Sequence, residues 1–235
     1  MPLDQERTRR KGSIYPLLLL LSLLVMVSFA FPHILLGHLG YALIALLLTQ
    51  LVMLHKPVLR LHDRLYQALG VVAILTQMVW LLTPVQWYLS AIPLVVSWSL
   101  LGSWSVVRLV KRLASEQRVN SEVLMGAAAG YLLLGLISGL VMIGVETIQP
   151  GSFEPIGLSG VGTVGNPPVL QWSPVFSKIN YFAFICLTTV GFGDITPVQP
   201  IARMLAVTTA VVGQLYLAVV MGILIGRFSS VLRKN

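Results

Sequence analysis

Hydrophobic residues form long runs along this chain, separated by short polar connections that hold most of the charges. A helix needs about 20 mainly apolar residues to cross a hydrocarbon core of ~30 Å. The pattern predicts six membrane-spanning helices, at Ile14–Leu36, Leu39–Leu54, Leu65–Leu82, Trp87–Val107, Val123–Val145 and Pro200–Gly226. We therefore expect an all-α membrane protein.

A shorter apolar stretch, Lys178–Leu187, precedes the last predicted span. It contains no Gly or Pro and follows Pro174 and Ser177. Ten residues of α-helix rise ~15 Å, about half of the hydrocarbon core, so this stretch is predicted to be a re-entrant half-helix. The irregular backbone after it is tolerated at membrane depth only where protein or a water-filled cavity surrounds it.

Composition supports a membrane protein, because 56% of residues are hydrophobic and 10% are charged. An ordinary soluble domain has about 25% charged residues. The formal net charge is +8, but all Lys and Arg except Lys178 and Arg203 fall on one side if each predicted helix crosses once. Basic connections face the cytoplasm, which predicts a multi-pass protein with both termini cytoplasmic and no nucleic-acid partner.

Two local patterns leave alternatives. Arg9-Arg10-Lys11 and the apolar run ending in Ser28-Phe29-Ala30 have the order of a secretory signal, but the run continues through Leu36, which favours a retained first helix. Residues 108–122 alternate apolar and basic positions. They are predicted to form either an amphipathic helix on the inner surface or a cytoplasmic extension of the fourth helix.

The segment Thr188-Thr189-Val190-Gly191-Phe192-Gly193-Asp194, hereafter the signature segment, follows the half-helix. A potassium ion sheds its hydration shell only where oxygens of similar dipole and spacing replace it. For consecutive carbonyls to face one axis, alternate residues need dihedrals of opposite hand, and positive φ is cheap only for glycine. Gly191 and Gly193 stand at such alternate positions.

The signature segment and its place before a long final helix resemble the tetrameric potassium channel superfamily, over about Pro174–Gly226. The resemblance implies a homotetramer of six-helix subunits, of prokaryotic type and in a prokaryotic cell membrane, that conducts K⁺ passively. It implies no enzymatic activity and no cofactor besides K⁺. The implied ion-binding filter residues are Thr189, Val190, Gly191, Phe192 and Gly193, with K⁺ at the first four.

Other roles follow from the same resemblance. Thr188, Asp194 and Tyr181 are implied to support the filter, with either a Tyr181 hydroxyl bond to Asp194 or an ordinary interfacial tyrosine. Phe192 is expected to face Phe182. Gly213 is implied as a hinge, with close packing as the alternative for it and the preferred role for Gly222 and Gly226. The residues implied to line the cavity are Gln214, Leu217, Ala218, Met221 and Ile225.

The implied domain order has five parts. They are a cytoplasmic N-terminus at 1–13, a four-helix membrane domain at 14–107, a cytoplasmic amphipathic linker at 108–122, a pore domain at 123–226 and a cytoplasmic tail at 227–235. The four-helix domain is voltage-sensor-like in layout only, because Trp87–Val107 contains no basic residue and a helix without charge supplies no gating energy. Arg108 at its end is interpreted as a membrane-surface anchor.

Two other functions compete with this interpretation. One is a nonselective cation channel, against which the intact Val190-Gly191-Phe192-Gly193 argues. The other is a rhomboid-like membrane protease, suggested by Gly157-Leu158-Ser159-Gly160. Such a protease needs a later histidine as base, but His33, His38, His55 and His62 all precede Ser159.

Overall fold

A computed structural model of the protein describes residues 14–31, 40–47, 61–82, 88–115, 121–156 and 172–232. Within these ranges the chain is mostly helical. The helices are α1 (Ile14–Ser28), α2 (residues 40–47), α3 (Leu61–Leu82), α4 (Tyr88–Ser115), α5 (Ser121–Ile148), α6 (Trp172–Leu187) and α7 (Pro200–Leu232). Two short strands, β1 (Phe153–Glu154) and β2 (Thr196–Pro197), form an antiparallel pair.

Three helices in the described part of the chain are long and apolar enough to cross a membrane. Their apolar portions are Ile92–Ala114 in α4, Ser121–Ile148 in α5 and Pro200–Leu224 in α7. Helix α1 has only 15 residues, and α3 has 22 but begins with charged Asp63 and Arg64 in its first turn. The prediction of six spans therefore stays a prediction, and the second span is described only over residues 40–47.

Several helix boundaries differ from the predicted ones, among them the end of α1 and the start of α6. Helix α1 ends at Ser28, and Phe29 and Ala30 close turns through bonds to Met26 and Val27 carbonyls. Helix α6 begins at Trp172 instead of Lys178, so it has 16 residues and a length of ~24 Å. Pro174 lies in its first turn, where an N–H has no intrahelical partner to lose.

For the first part of the predicted linker at 108–122, the structure decides between the two predicted alternatives. Helix α4 continues without interruption through residues 108–115, so this part is an extension of the fourth helix and not a separate surface helix. Residues 116–120 lie outside the described ranges, as do the predicted N-terminus at 1–13 and the last three residues of the tail. The Gly157-Leu158-Ser159-Gly160 pattern and His33, His38 and His55 lie outside them as well.

Helix α5 is the centre of the packing, because it contacts α1, α4, α6 and α7. Glycines on its faces let these neighbours approach closely. The pairs are Gly126 with Tyr15, Gly130 with Tyr216, Gly135 with Phe184 and Gly139 with Asn180. Helix α5 therefore fixes the positions of α6 and α7, which flank the signature segment.

The first two helices also pack against α6. The Ser177 hydroxyl donates a hydrogen bond to the Phe29 carbonyl over 2.7 Å, and the Phe29 and Phe176 rings meet edge to face at 5.7 Å. Tyr41 of α2 contacts the same Phe176 ring at 6.0 Å. These contacts cross the predicted domain boundary at residue 107, so α1 and α2 pack with the C-terminal part of the chain.

Arg108 has a protein partner in addition to its place at the end of the apolar part of α4. Its guanidinium forms an ion pair with Asp63 of α3 and lies 4.8 Å from the centre of the Tyr66 ring. The Tyr66 hydroxyl is hydrogen-bonded to Ser105 at 2.7 Å. The Asp63 side chain is only 6% exposed. Arg108 thus joins α3 to α4, which the interpretation as a membrane-surface anchor missed.

We expect Arg108→Gln to lower the free energy of unfolding by about 2 kcal/mol, because it removes an ion pair with the Asp63 carboxylate, whose side chain is only 6% exposed. The double variant Arg108→Gln/Asp63→Asn should recover part of this loss. Lys111 is exposed and lies about one helical turn after Arg108, so Lys111→Gln should change the free energy of unfolding by less than about 0.5 kcal/mol. Chemical unfolding in detergent measures all three, and an Arg108→Gln protein as stable as the wild type would contradict the expectation.

Candidate functional site

The signature segment leaves the end of α6 directly. Helix α6 ends at Leu187, and the next three backbone amides bond back to it. Thr188 N–H donates to the Phe184 carbonyl at 2.9 Å, Thr189 N–H to Cys186 at 3.0 Å and Val190 N–H to Ile185 at 3.1 Å. The start of the segment is therefore fixed by the orientation of the last turn of α6.

The backbone of the segment alternates in hand. Gly191 and Gly193 have φ angles of 58° and 77°, which confirms the prediction of positive φ at these glycines. Thr189 also has a positive φ, 59°, which residue type alone did not predict. This conformation costs a side-chain-bearing residue roughly 1–2 kcal/mol, and such strain is concentrated at functional sites. Left-handed residues thus occur at 189, 191 and 193, with Val190 and Phe192 between them.

The outer end of the segment is held by Tyr181. Its hydroxyl donates a hydrogen bond to the Asp194 carboxylate over 2.8 Å. Of the two alternatives predicted for Tyr181, the structure shows the hydrogen bond to Asp194. The same bond raises the pKa of the Tyr181 hydroxyl, so the group stays protonated and remains the donor.

The prediction that Phe192 faces Phe182 is wrong for a single chain. Phe182 is buried against Phe153, with ring centres 5.4 Å apart. Phe192 is instead 72% exposed and Val190 is 52% exposed. Both side chains line an open, mainly apolar groove together with Phe184 and the end of α1. These two large apolar side chains of the signature segment are therefore exposed in the single chain.

Helix α7 brings Gln214 to the inner end of the segment. The Gln214 amide nitrogen lies 3.5 Å from the Thr189 hydroxyl oxygen. Leu217, the next predicted cavity residue, is 38% exposed on the same helix. The side chains of Met221 and Ile225 lie outside the described part of the structure.

Gly213 is a site of close packing. A Cβ atom at this position would collide with the Leu187 carbonyl oxygen at the end of α6, and α7 is continuous through Gly213. The structure thus shows close packing at Gly213, and the preferred hinge role stays a prediction. Gly222 and Gly226, for which packing was preferred, have no described atom within 4 Å of such a Cβ.

The chain that follows the signature segment is also connected to α5, through Glu146 and the two-stranded sheet. Glu146 is buried in the last turn of α5, and its carboxylate accepts hydrogen bonds from the Gly151 and Phe153 amides at 2.8 and 3.1 Å. Phe153 then pairs with Pro197 in the two-stranded sheet. The fifth predicted span ended at Val145, and sequence reasoning missed this role of Glu146. An acidic residue next to a long apolar run was the available signal.

Tyr131 is the other residue that sequence reasoning missed. It lies in the middle of α5, and its hydroxyl donates to the Leu187 carbonyl over 3.1 Å. A tyrosine within a membrane span carries a polar group that needs a partner, which was the signal in the sequence.

Comparison with known proteins places this site in a class. Residues 162–230 match the model of a protein family described as Ion channel, and this range includes α6, the signature segment and most of α7. No curated protein and no solved structure matches the chain. The family match and the apolar helices indicate an ion channel of a membrane.

Proposed function

We propose that this chain is one subunit of a potassium-selective channel and that the signature segment is its selectivity filter. The observation that carries the proposal is the left-handed backbone at Thr189, Gly191 and Gly193. Alternation of hand allows successive carbonyl oxygens to face one axis, where they can replace the water around K⁺. In this arrangement K⁺ binds at Thr189, Val190, Gly191 and Phe192.

The neighbouring residues then have supporting roles. Tyr181 and Thr188 hold the two ends of the filter, the former through Asp194. The cavity below the filter is lined by Gln214, Leu217, Met221 and Ile225. The contact between Gln214 and Thr189 supports this order, because it brings the first cavity residue to the innermost ion site.

Liposome flux tests the proposal. Liposomes that contain the purified protein and are loaded with K⁺ should lose K⁺ down its gradient, while Na⁺-loaded liposomes should retain Na⁺. Gly193→Ala protein serves as the matched negative control. Equal efflux of both ions would identify a nonselective cation channel. If neither ion leaves the liposomes, the protein does not form an open channel, which contradicts the proposal.

The apolar surfaces of the chain support an assembly of identical copies. Most of the apolar portion of α7 is exposed in the single chain, whereas more than half of that of α5 is buried. Val190 and Phe192 add further exposed apolar area. A single extended segment cannot surround an ion, whereas four around one axis can. We infer a homotetramer in a lipid bilayer, with both termini cytoplasmic, in a prokaryotic cell membrane.

The protein should therefore have the mass of four subunits when purified in a detergent that preserves conduction. One subunit has a mass of 25.7 kDa. Light scattering combined with size exclusion can separate the protein mass from the detergent mass. A mass equal to one or two subunits for a conducting preparation would contradict the tetramer.

Opening should depend little on voltage. Residues 88–107 of α4 include no basic residue, and the first one that follows, Arg108, has its charge paired with Asp63. Since each charge that crosses the field contributes ~2.3 kcal/mol per 100 mV, steep gating needs several unpaired charges per subunit. Single-channel recording should give a nearly constant open probability across physiological potentials. Steep sigmoidal activation would contradict this expectation.

A further inference from the structure

The last carbonyl of α6 is in an unusual position for a helix end. In a continued helix, the Leu187 carbonyl would accept a bond from the N–H of residue 191. The chain instead turns into the signature segment after Leu187. Carbonyls in the last turn of a helix need a donor from elsewhere, and Leu187 is fully buried, where an unpaired carbonyl is costly.

Tyr131 supplies that donor from a different helix. Its hydroxyl reaches the Leu187 carbonyl oxygen at 3.1 Å. Gly213 of α7 lies against the same oxygen, where any side chain would collide with it. One carbonyl group at the start of the signature segment is thus held between α5 and α7.

We propose that Tyr131 is a positioning residue for the inner end of the signature segment. Its hydroxyl fixes the peptide between Leu187 and Thr188, and through it the left-handed backbone at Thr189. Loss of the hydroxyl leaves the carbonyl without this donor, so the peptide is held only by the bond from its Thr188 N–H to the Phe184 carbonyl, and the start of the segment becomes less ordered. The consequence for ion conduction rests on the proposed function, whereas the consequence for local order does not.

Tyr216 provides a matched control for this proposal. Its ring lies 5.9 Å from that of Tyr131, and its hydroxyl donates at 2.7 Å to the carbonyl of Ala127. That carbonyl lies inside α5 and already takes part in the helical hydrogen bonds. Tyr216→Phe therefore removes a buried tyrosine hydrogen bond between two helices without touching α6.

Tyr41 provides a second control. Its hydroxyl is buried and has no hydrogen-bond partner among the described residues. Tyr41→Phe makes the same chemical change next to the Phe176 ring of α6, without the loss of a bond.

Hydrogen exchange of the backbone amides tests the proposal directly on the full-length protein in K⁺ solution. The amides of Thr188, Thr189 and Val190, which bond to the last turn of α6, should exchange about tenfold faster in Tyr131→Phe than in the wild type, a factor that corresponds to ~1.4 kcal/mol. Tyr216→Phe and Tyr41→Phe should leave these amides unchanged. An unchanged rate in Tyr131→Phe, or an equal acceleration in Tyr216→Phe, would overturn the proposal.

Recordings from the same three variants connect the positioning role to conduction. Reversal potentials in mixed K⁺ and Na⁺ should show a several-fold lower preference for K⁺ in Tyr131→Phe and the wild-type preference in both controls. A wild-type preference for K⁺ in Tyr131→Phe would overturn the link between the positioning role of Tyr131 and ion selectivity. If the wild-type protein does not discriminate between the ions, the proposed function fails, while the exchange rates still decide the role of Tyr131.

Discussion

Replacement of Gly193 by alanine is expected to abolish K⁺ current or the preference for K⁺ over Na⁺, while the protein still assembles. Gly193 has a φ of 77°, and a Cβ there would meet no described atom within 4 Å. The expected effect therefore comes from backbone strain and not from a collision. The strain is roughly 1–2 kcal/mol per subunit, and in the proposed homotetramer it acts in every copy around one axis. A small rotation of four carbonyls is enough to disturb the match to a dehydrated ion.

Gly151→Ala is the matched control. Gly151 has a φ of 84° and equally open surroundings, but it lies in the turn after α5. The substitution imposes the same kind of strain outside the signature segment, and it preserves the N–H that donates to Glu146. Single-channel recording should give wild-type selectivity for Gly151→Ala. A Gly193→Ala channel with wild-type conductance and selectivity would show that the signature segment is not the ion pathway.

Gly213→Ala should have the second large effect, a loss of thermal stability together with disturbed conduction. The added methyl group would collide with the Leu187 carbonyl oxygen, so α6 and α7 must separate. Overpacking of this kind costs about 1–3 kcal/mol. Because the same carbonyl accepts the Tyr131 hydroxyl, the separation should also weaken that bond.

Gly222→Ala on the same helix tests whether the effect is specific. No described atom lies within 4 Å of a Cβ at this position, so alanine should stabilise α7 slightly, by up to about 1 kcal/mol. Thermal unfolding of both variants gives the comparison. Normal stability of Gly213→Ala combined with altered opening would contradict a packing role and favour the hinge.

The parts of the site that the sequence predicted are those with a local physical signal. Glycine is the one residue type that adopts positive φ at little cost, so Gly191 and Gly193 could be assigned from residue type. Thr189 adopts the same φ with no signal in its own residue type. Its conformation follows from the bonds at the end of α6, which the sequence does not display.

Helix boundaries were predicted less well where a residue has two roles. The half-helix was predicted to begin at Lys178, after Pro174 and Ser177, but proline is tolerated in the first turn of a helix, and α6 starts at Trp172. The end of α4 carried a pattern that fits both a surface helix and an extension, and the choice depends on packing against α3. The ion pair between Arg108 and Asp63 joins residues 45 positions apart. Periodicity within one helix contains no information about such a contact.

Contacts between distant segments were not predictable at all from the pattern. The bond from Ser177 to the Phe29 carbonyl spans 148 positions, and that from Tyr131 to Leu187 spans 56. Apolar faces on α1, α5 and α6 predict that these helices bury surface, but not against which neighbour. The central place of α5 in the packing, and thus the role of Tyr131, required the structure.

Reversal potentials in planar bilayers test the central claim most directly. With purified protein between K⁺ on both sides and Na⁺ added to one side, the reversal potential of a K⁺-selective channel should follow the K⁺ gradient alone. It should shift by ~59 mV for each tenfold change in the K⁺ ratio, the value for one charge per ion. Addition of Na⁺ should leave it unchanged. A reversal potential that responds equally to Na⁺ would contradict the assignment of Thr189–Gly193 as a potassium-selective filter.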